Sequence, residues 1–118
     1  MEPLRYHIII DVNDVGDKEL NDGPALSTFL NTLPGMIGMK VLNPPVVIEG
    51  VPENPGITGF VIIDFSHISI HTFTIYKKAM VDIFSCKKYS QEEALQAVLK
   101  HFNADRSKAK IKEVSWGL

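Results

Sequence analysis

Residues 56–73 read GITGFVIIDFSHISIHTF, and the way this stretch folds decides the rest of the chain. Gly59 to Phe65 is a nearly continuous apolar run, as expected of a strand buried within a sheet. In His67 to Phe73, the residues Ile68, Ile70 and Thr72 alternate with His67, Ser69, His71 and Phe73. A period of two marks a strand with one apolar face. Ser66 falls between the two runs, which places it at a tight reversal. A third strand-like run, Ala79 to Ser85, follows and ends one residue before Cys86.

Working outward, Tyr6 to Val12 (YHIIIDV) reads as a largely buried first strand. The turn-rich NDVGDKELNDG leads to Pro24, which suits a first helical position, with Asp22 or Gly23 as the cap. Leu26, Phe29, Leu30 and Leu33 then share one helical face, and Pro34–Gly35 is expected to stop that helix. MKVLNPPVVIEG supplies an extended piece interrupted by Pro44–Pro45, the mark of an edge or broken strand.

Near the other end, Ser90 and Glu93 form an S-x-x-E capping box opening a helix with Leu95, Val98, Leu99 and Phe102 inward. KAKIKEVSW alternates lysine with apolar residues and reads as a partly exposed last strand. The expected order is β-α-β-β-β-β-α-β. That order implies an α+β two-layer sandwich, a mainly antiparallel sheet with two helices on one face.

A chain of 118 residues holds one domain with a real core, so residues 1–118 are read as a single unit. The net charge of −2 gives no electrostatic footprint for nucleic acid or an anionic membrane. No apolar stretch approaches the ~20 residues that span a bilayer. One cysteine excludes an internal disulfide framework, and together with the absence of a signal-like start it points to a cytoplasmic protein.

The residues with chemical potential are Thr58, Ser66, His71 and Cys86, which neighbouring hairpins would bring to one region. Taken singly, Ser66 is an ordinary turn residue, His71 a hydrogen-bonded structural histidine and Cys86 a small buried hydrophobe. No acidic or thiol partner stands at ligand spacing from His67 and His71, so no metal site is expected. A Ser-His-Asp hydrolase lacks its G-x-S-x-G elbow.

The combination G-x-[ST]-G-x-V, S-H-I-x-I-H-T-aromatic and V-D-I-F-S-C, running from Gly56 to Lys87, resembles the short prokaryotic S-adenosylmethionine decarboxylase family. The resemblance implies a self-processing enzyme. Ser66 would attack the preceding peptide bond, cutting between Phe65 and Ser66 into a β chain 1–65 and an α chain 66–118. Ser66 would thereby become a pyruvoyl group, the sole cofactor, which forms a Schiff base with the substrate amine and serves as electron sink. Thr58, through its hydroxyl, and His71, as base, would assist the cleavage. Cys86 would return a proton to Cα after carbon dioxide leaves. The resemblance also implies a homodimer with sites near its interface and a small-molecule amino-acid substrate.

Several positions depart from the family pattern. Thr58 stands where serine is usual, and Phe65 where glutamate is common. Thr74–Ile75 replaces a Pro-Glu pair whose glutamate contacts the ribose hydroxyls of the substrate. Losing such a contact costs about 1–3 kcal/mol. The loop EGVPENPGI lacks an aromatic to stack on adenine, a loss of roughly 1–3 kcal/mol more. Asp64 is a gain: on a regular strand it shares a face with Ser66 and would pair with the distal cation of a basic substrate. These departures favour L-ornithine or L-arginine as substrate. The alternatives are S-adenosylmethionine itself, or an unprocessed homologue that acts as a binding or regulatory subunit.

Overall fold

The computed structural model describes residues 4–114. Six strands form one fully antiparallel sheet: β1 (Tyr6–Val12), β2 (Val46–Glu49), β3 (Ile57–Ile63), β4 (Ser66–Phe73), β5 (Lys78–Ser85) and β6 (Ala109–Glu113). Their spatial order is β2-β3-β4-β5-β1-β6, so the consecutive hairpins β3-β4 and β4-β5 occupy the centre. Helices α1 (Asp17–Leu20), α2 (Gly23–Met36) and α3 (Gln91–His101) complete the fold. The α+β two-layer architecture expected from the sequence is the one observed, with α1 as a short addition inside the turn-rich segment.

The sheet is two-faced: β4 alternates as its sequence does, whereas β1 and β3, expected to be buried runs, turn Ile9, Phe60 and Ile62 outward. Ile8, Ile10, Val61, Ile63, Ile68, Ile70, Val81 and Ile83 point to the helical side and are buried. There they meet Leu26, Leu30 and Leu33 of α2 and Leu95 and Val98 of α3 in one continuous core. The other side carries Thr58, Phe60, Ile62, His67, His71, Met80 and Ile9, and among the described residues no helix covers it.

The helices α2 and α3 are punctuated by residues visible in the chain. The Asp22 carboxylate accepts from Ala25 N–H at 3.0 Å, and Ser90 Oγ accepts from Glu93 N–H at 3.1 Å, each satisfying a first-turn donor. The expected stop at Pro34–Gly35 is corrected: α2 continues to Met36. Pro34 lies in the final turn, and Ile37 and Met39 N–H both bond its carbonyl, at 3.1 and 2.8 Å. The terminating glycine is Gly38, in the left-handed region at φ 83°. β2 is an edge strand, and only Val41 of the segment before Pro44–Pro45 bridges to the sheet, opposite Ile63. β6 is the other edge and ends at Glu113; the expected strand residues Ser115 and Trp116 lie outside the described residues.

Two glycines of the G-x-[ST]-G motif have packing reasons. At Gly56, φ is 146° and an added Cβ would collide with the Thr72 carbonyl oxygen. A Cβ on Gly59 would sit 2.5 Å from Leu30 Cδ1 and 2.9 Å from Leu26 Cδ2, so this glycine sets how closely α2 approaches β3. Gly59→Ala is therefore expected to cost about 1–3 kcal/mol by overpacking, read from urea unfolding in a Ser66→Ala background; an unchanged midpoint would refute the close-packing account.

Candidate active site

The centre of the site is the reversal between β3 and β4. Ile63 pairs with Ser66, leaving a two-residue turn, Asp64–Phe65. Two-residue hairpins favour turns with positive φ at a central residue. Neither Asp64 nor Phe65 has positive φ; Ser66 has it instead, at 143°. A side-chain-bearing residue held there stores about 1–3 kcal/mol. The strain sits on the residue whose hydroxyl the sequence singles out.

Asp64 does not continue the strand, as the expectation of a face shared with Ser66 required, but lies in the turn. Its Oδ1 accepts from Lys40 N–H at 2.9 Å, while its own N–H donates to the Lys40 carbonyl at 2.9 Å. The reversal is thereby stitched to the segment following α2.

Cys86 joins Ser66 because Ser85, the last residue of β5, pairs directly with Ser66. Beyond it, Cys86 N–H donates to the Phe65 carbonyl oxygen at 2.9 Å. That oxygen belongs to the Phe65–Ser66 peptide. A donor on it polarises the carbonyl and would hold negative charge developing on oxygen. Lys87 Nζ donates to the Gly38 carbonyl at 2.8 Å and stands 5.3 Å from the centre of the Phe65 ring. Tyr89 closes the segment, its hydroxyl 3.1 Å from both the Tyr6 and Ile83 carbonyls. Burial, foremost, pushes the Tyr89 phenol above its ordinary range, so it stays a proton donor.

Thr58 and His71 form a second group. They pair directly across β3 and β4, and Thr58 Oγ1 lies 2.9 Å from His71 Nδ1. Both are exposed on the uncovered face of the sheet. His71 lines a shallow depression of about 250 Å³ with Ile9, Asp11, Ser69, Met80 and Asp82. The expectation that all four residues converge within one chain is corrected. His71 is five residues along β4 from Ser66, about 16 Å at strand rise. Hairpin pairing brings partners across strands together, but it cannot shorten the distance along one.

A larger groove, about 470 Å³, separates α2 from α3 and is lined by Phe29, Met36 and His101 among others. It touches none of these residues. Among the described residues no helix is long and apolar enough to cross a membrane.

The S-adenosylmethionine decarboxylase family model matches residues 6–114. The chain belongs to the S-adenosylmethionine decarboxylase family. An S-adenosylmethionine decarboxylase proenzyme of Parasynechococcus marenigrum (strain WH8102) is 34% identical over 94 residues, 80% of this chain and 71% of that protein. An arginine decarboxylase proenzyme of Caldivirga maquilingensis is 26% identical over 98 residues, 82% of this chain and 73% of the other. In fold, the adenosylmethionine decarboxylase of Aquifex aeolicus superposes with a TM-score of 0.80 at 23% identity, covering 100% of this chain and 94% of that one.

Members of this family are carboxy-lyase proenzymes that make a pyruvoyl group from a serine by self-cleavage and use no metal. The residues around Ser66 fit the formation of that group: a strained serine follows a carbonyl already engaged by a backbone donor. The residues that sequence reasoning missed are Ser85, Lys87 and Lys40. Ser85 and Lys87 flank Cys86, but only their folded contacts reveal a connection to Phe65.

If Ser66 is strained, a glycine there should fold more stably than an alanine, reversing the usual order for a strand. Ser66→Gly is expected to exceed Ser66→Ala by about 1 kcal/mol or more in chemical unfolding. Equal stabilities would remove the strain from the account.

Proposed function

We propose that this chain is a self-cleaving, pyruvoyl-dependent decarboxylase that acts as a homodimer on L-ornithine or L-arginine. The observation carrying the reading is the Cys86 N–H on the Phe65 carbonyl. In the cleavage, Ser66 Oγ attacks the Phe65 carbonyl carbon while its proton passes to a base. The C–N bond to Ser66 breaks, the nitrogen takes up a proton, and an ester remains. Loss of the Ser66 Cα proton then expels the Phe65 carboxylate from Cβ, and hydrolysis of the resulting enamine releases ammonia. Throughout the first step the Cys86 N–H steadies the oxygen that becomes negative.

The base is the Thr58–His71 pair, with the exposed imidazole free to accept a proton and the Thr58 hydroxyl orienting it. The same chain's pair is too distant, so a second copy supplies it. A dimer is further supported by the uncovered sheet face, where Ile9, Val46, Ile48, Phe60, Ile62 and Met80 are all exposed. Exposed apolar residues gathered on one sheet face mark an interaction surface.

The pyruvoyl group supplies the electron sink that decarboxylation of an α-amino acid requires. The Cys86 thiol, half-buried beside Ser66, delivers a proton to Cα after carbon dioxide departs. Ile75, 64% exposed at the tip of the β4-β5 turn, has no oxygen for ribose hydroxyls, and the loop 49–57 offers no ring for adenine. These gaps favour a smaller, basic amino acid over a nucleoside. Asp64, in the turn two residues before Ser66 and held through one oxygen by Lys40 N–H, is the carboxylate proposed to pair with the distal cation. The names of most of the relatives favour S-adenosylmethionine as the second reading, and the Caldivirga relative's name favours arginine.

Denaturing intact-mass analysis, with each candidate substrate and cyanoborohydride, tests cleavage and specificity together. Two chains, with an adduct on the α chain from ornithine or arginine, are expected. Asp64→Asn keeps the acceptor for Lys40 N–H and should lose that adduct selectively. An adduct from S-adenosylmethionine alone would replace the substrate proposed, and a single intact chain would refute the enzyme reading.

Supply of the Thr58–His71 pair in trans has its own test. Chains carrying His71→Ala and Ser66→Ala, each inert alone, should give cleavage of the His71→Ala chain when co-expressed. Failure of the mixture, where wild type cleaves, would refute the cross-dimer arrangement.

A further inference from the structure

Only two polar side chains appear among the fully buried described residues, Thr72 and Ser85, and they do different things. Thr72 Oγ1 ties the Leu20 carbonyl to Ile57 N–H, linking α1 to the sheet. Ser85 instead acts on the residue two places ahead of it. Its hydroxyl donates to the Lys87 carbonyl at 2.8 Å and accepts from Lys87 N–H at 2.9 Å. Met39 Sδ packs 3.4 Å from the same oxygen. The chain from Ser85 to Lys87 is thus closed into a small ring of bonds, with Cys86 held between the two bonded residues.

Two contacts run from that ring to Phe65. One is the Cys86 N–H to the Phe65 carbonyl; the other is the Lys87 ammonium over the Phe65 ring. The strand register fixes where Ser85 stands, opposite Ser66, but not the direction in which Cys86 N–H points after the strand has ended. That direction depends on the turn, and the turn depends on one hydroxyl. An alanine would fill the space almost as well, and a buried hydroxyl is costly unless it is satisfied. Here it is satisfied on the backbone of the very segment that engages the Phe65–Ser66 peptide.

We propose that Ser85 is a positioning residue for self-cleavage, holding the 85–87 turn so that Cys86 N–H stays on the Phe65 carbonyl as its oxygen becomes negative. The inference rests on the reading that the 65–66 bond is cut. It deepens that reading by naming the residue on which the donor's aim depends. Removing an oxyanion donor outright costs about 10²–10³ in rate, and releasing its aim costs a part of that.

The experiment follows cleavage of the full-length chain by denaturing mass analysis, at a temperature well below every variant's unfolding midpoint. Ser85→Ala is expected to slow cleavage at least about tenfold, and Ser85→Thr, which keeps the hydroxyl, to restore most of the rate. A merely structural role would lower the unfolding midpoint of Ser85→Ala while leaving its cleavage rate at wild type, and that result would overturn the proposal. Should Ser85→Ala fail to fold, Ser85→Cys keeps the volume with a weaker donor and is expected to fall between serine and alanine; a wild-type rate there would count against the proposal. In the uncleavable Ser66→Ala background, amide exchange of Cys86 N–H should quicken when Ser85→Ala is added, and unchanged exchange would likewise overturn it. A wild-type chain that stays whole refutes self-cleavage itself, whereas a cleaved wild type with equally fast Ser85→Ala refutes only the role of Ser85.

Discussion

The hydrogen bond from Cys86 N–H to the Phe65 carbonyl is the interaction on which the site depends, and it exists only because three strands hold one register. Ser66 must pair with Ile63 on one side and Ser85 on the other. A slip of one residue would turn every buried isoleucine of β4 to the open face. The core therefore protects the register, and the register places the end of β5 against the turn before β4. The placement of the Phe65–Ser66 peptide and of its donor is a consequence of where large apolar side chains have to go.

Strain at Ser66 follows from the same constraint. A two-residue turn made of Asp64 and Phe65 lacks a glycine or asparagine to take positive φ, so the next residue takes it. The bonds between Asp64 and Lys40 prevent the turn from relaxing by widening. The backbone held this way leaves its preferred region at Ser66, the residue whose hydroxyl the proposed cleavage uses. The surrounding sheet over-determines the conformation, which is how such strain persists.

On the proposed reading, the open sheet face is where a second copy would complete the site. One chain carries an engaged carbonyl at one end of β4 and a hydroxyl–imidazole pair toward the other. An uncovered apolar face lies between, with Phe60, His67 and Phe84 stacked across neighbouring strands at 5.3 and 5.4 Å. A second copy packed against that face, as proposed, would bury the apolar surface and offer each Ser66 a second source of the pair. Stability and chemistry would then call for the same partner.

Much of this was legible in the chain. Alternation in His67–Phe73 determined which side chains of β4 face the helices, because a strand's period of two leaves no choice once one face must be apolar. Ser90 with Glu93, Asp22 before Pro24, and the glycines of the G-x-[ST]-G motif likewise carry local reasons that need no distant partner. The motifs shared with the family singled out Ser66, His71, Cys86 and Thr58 as candidates. Those motifs could not say that the four fall into two groups, because residue number along a strand becomes distance only when the strand is known to run straight. Nor could it show α2 outlasting Pro34, where closure depends on Gly38 and on bonds to Pro34's carbonyl. The aim of Cys86, the clamp at Ser85 and the tether at Asp64 were decided by tertiary structure, since each depends on a backbone group whose direction the sequence does not record.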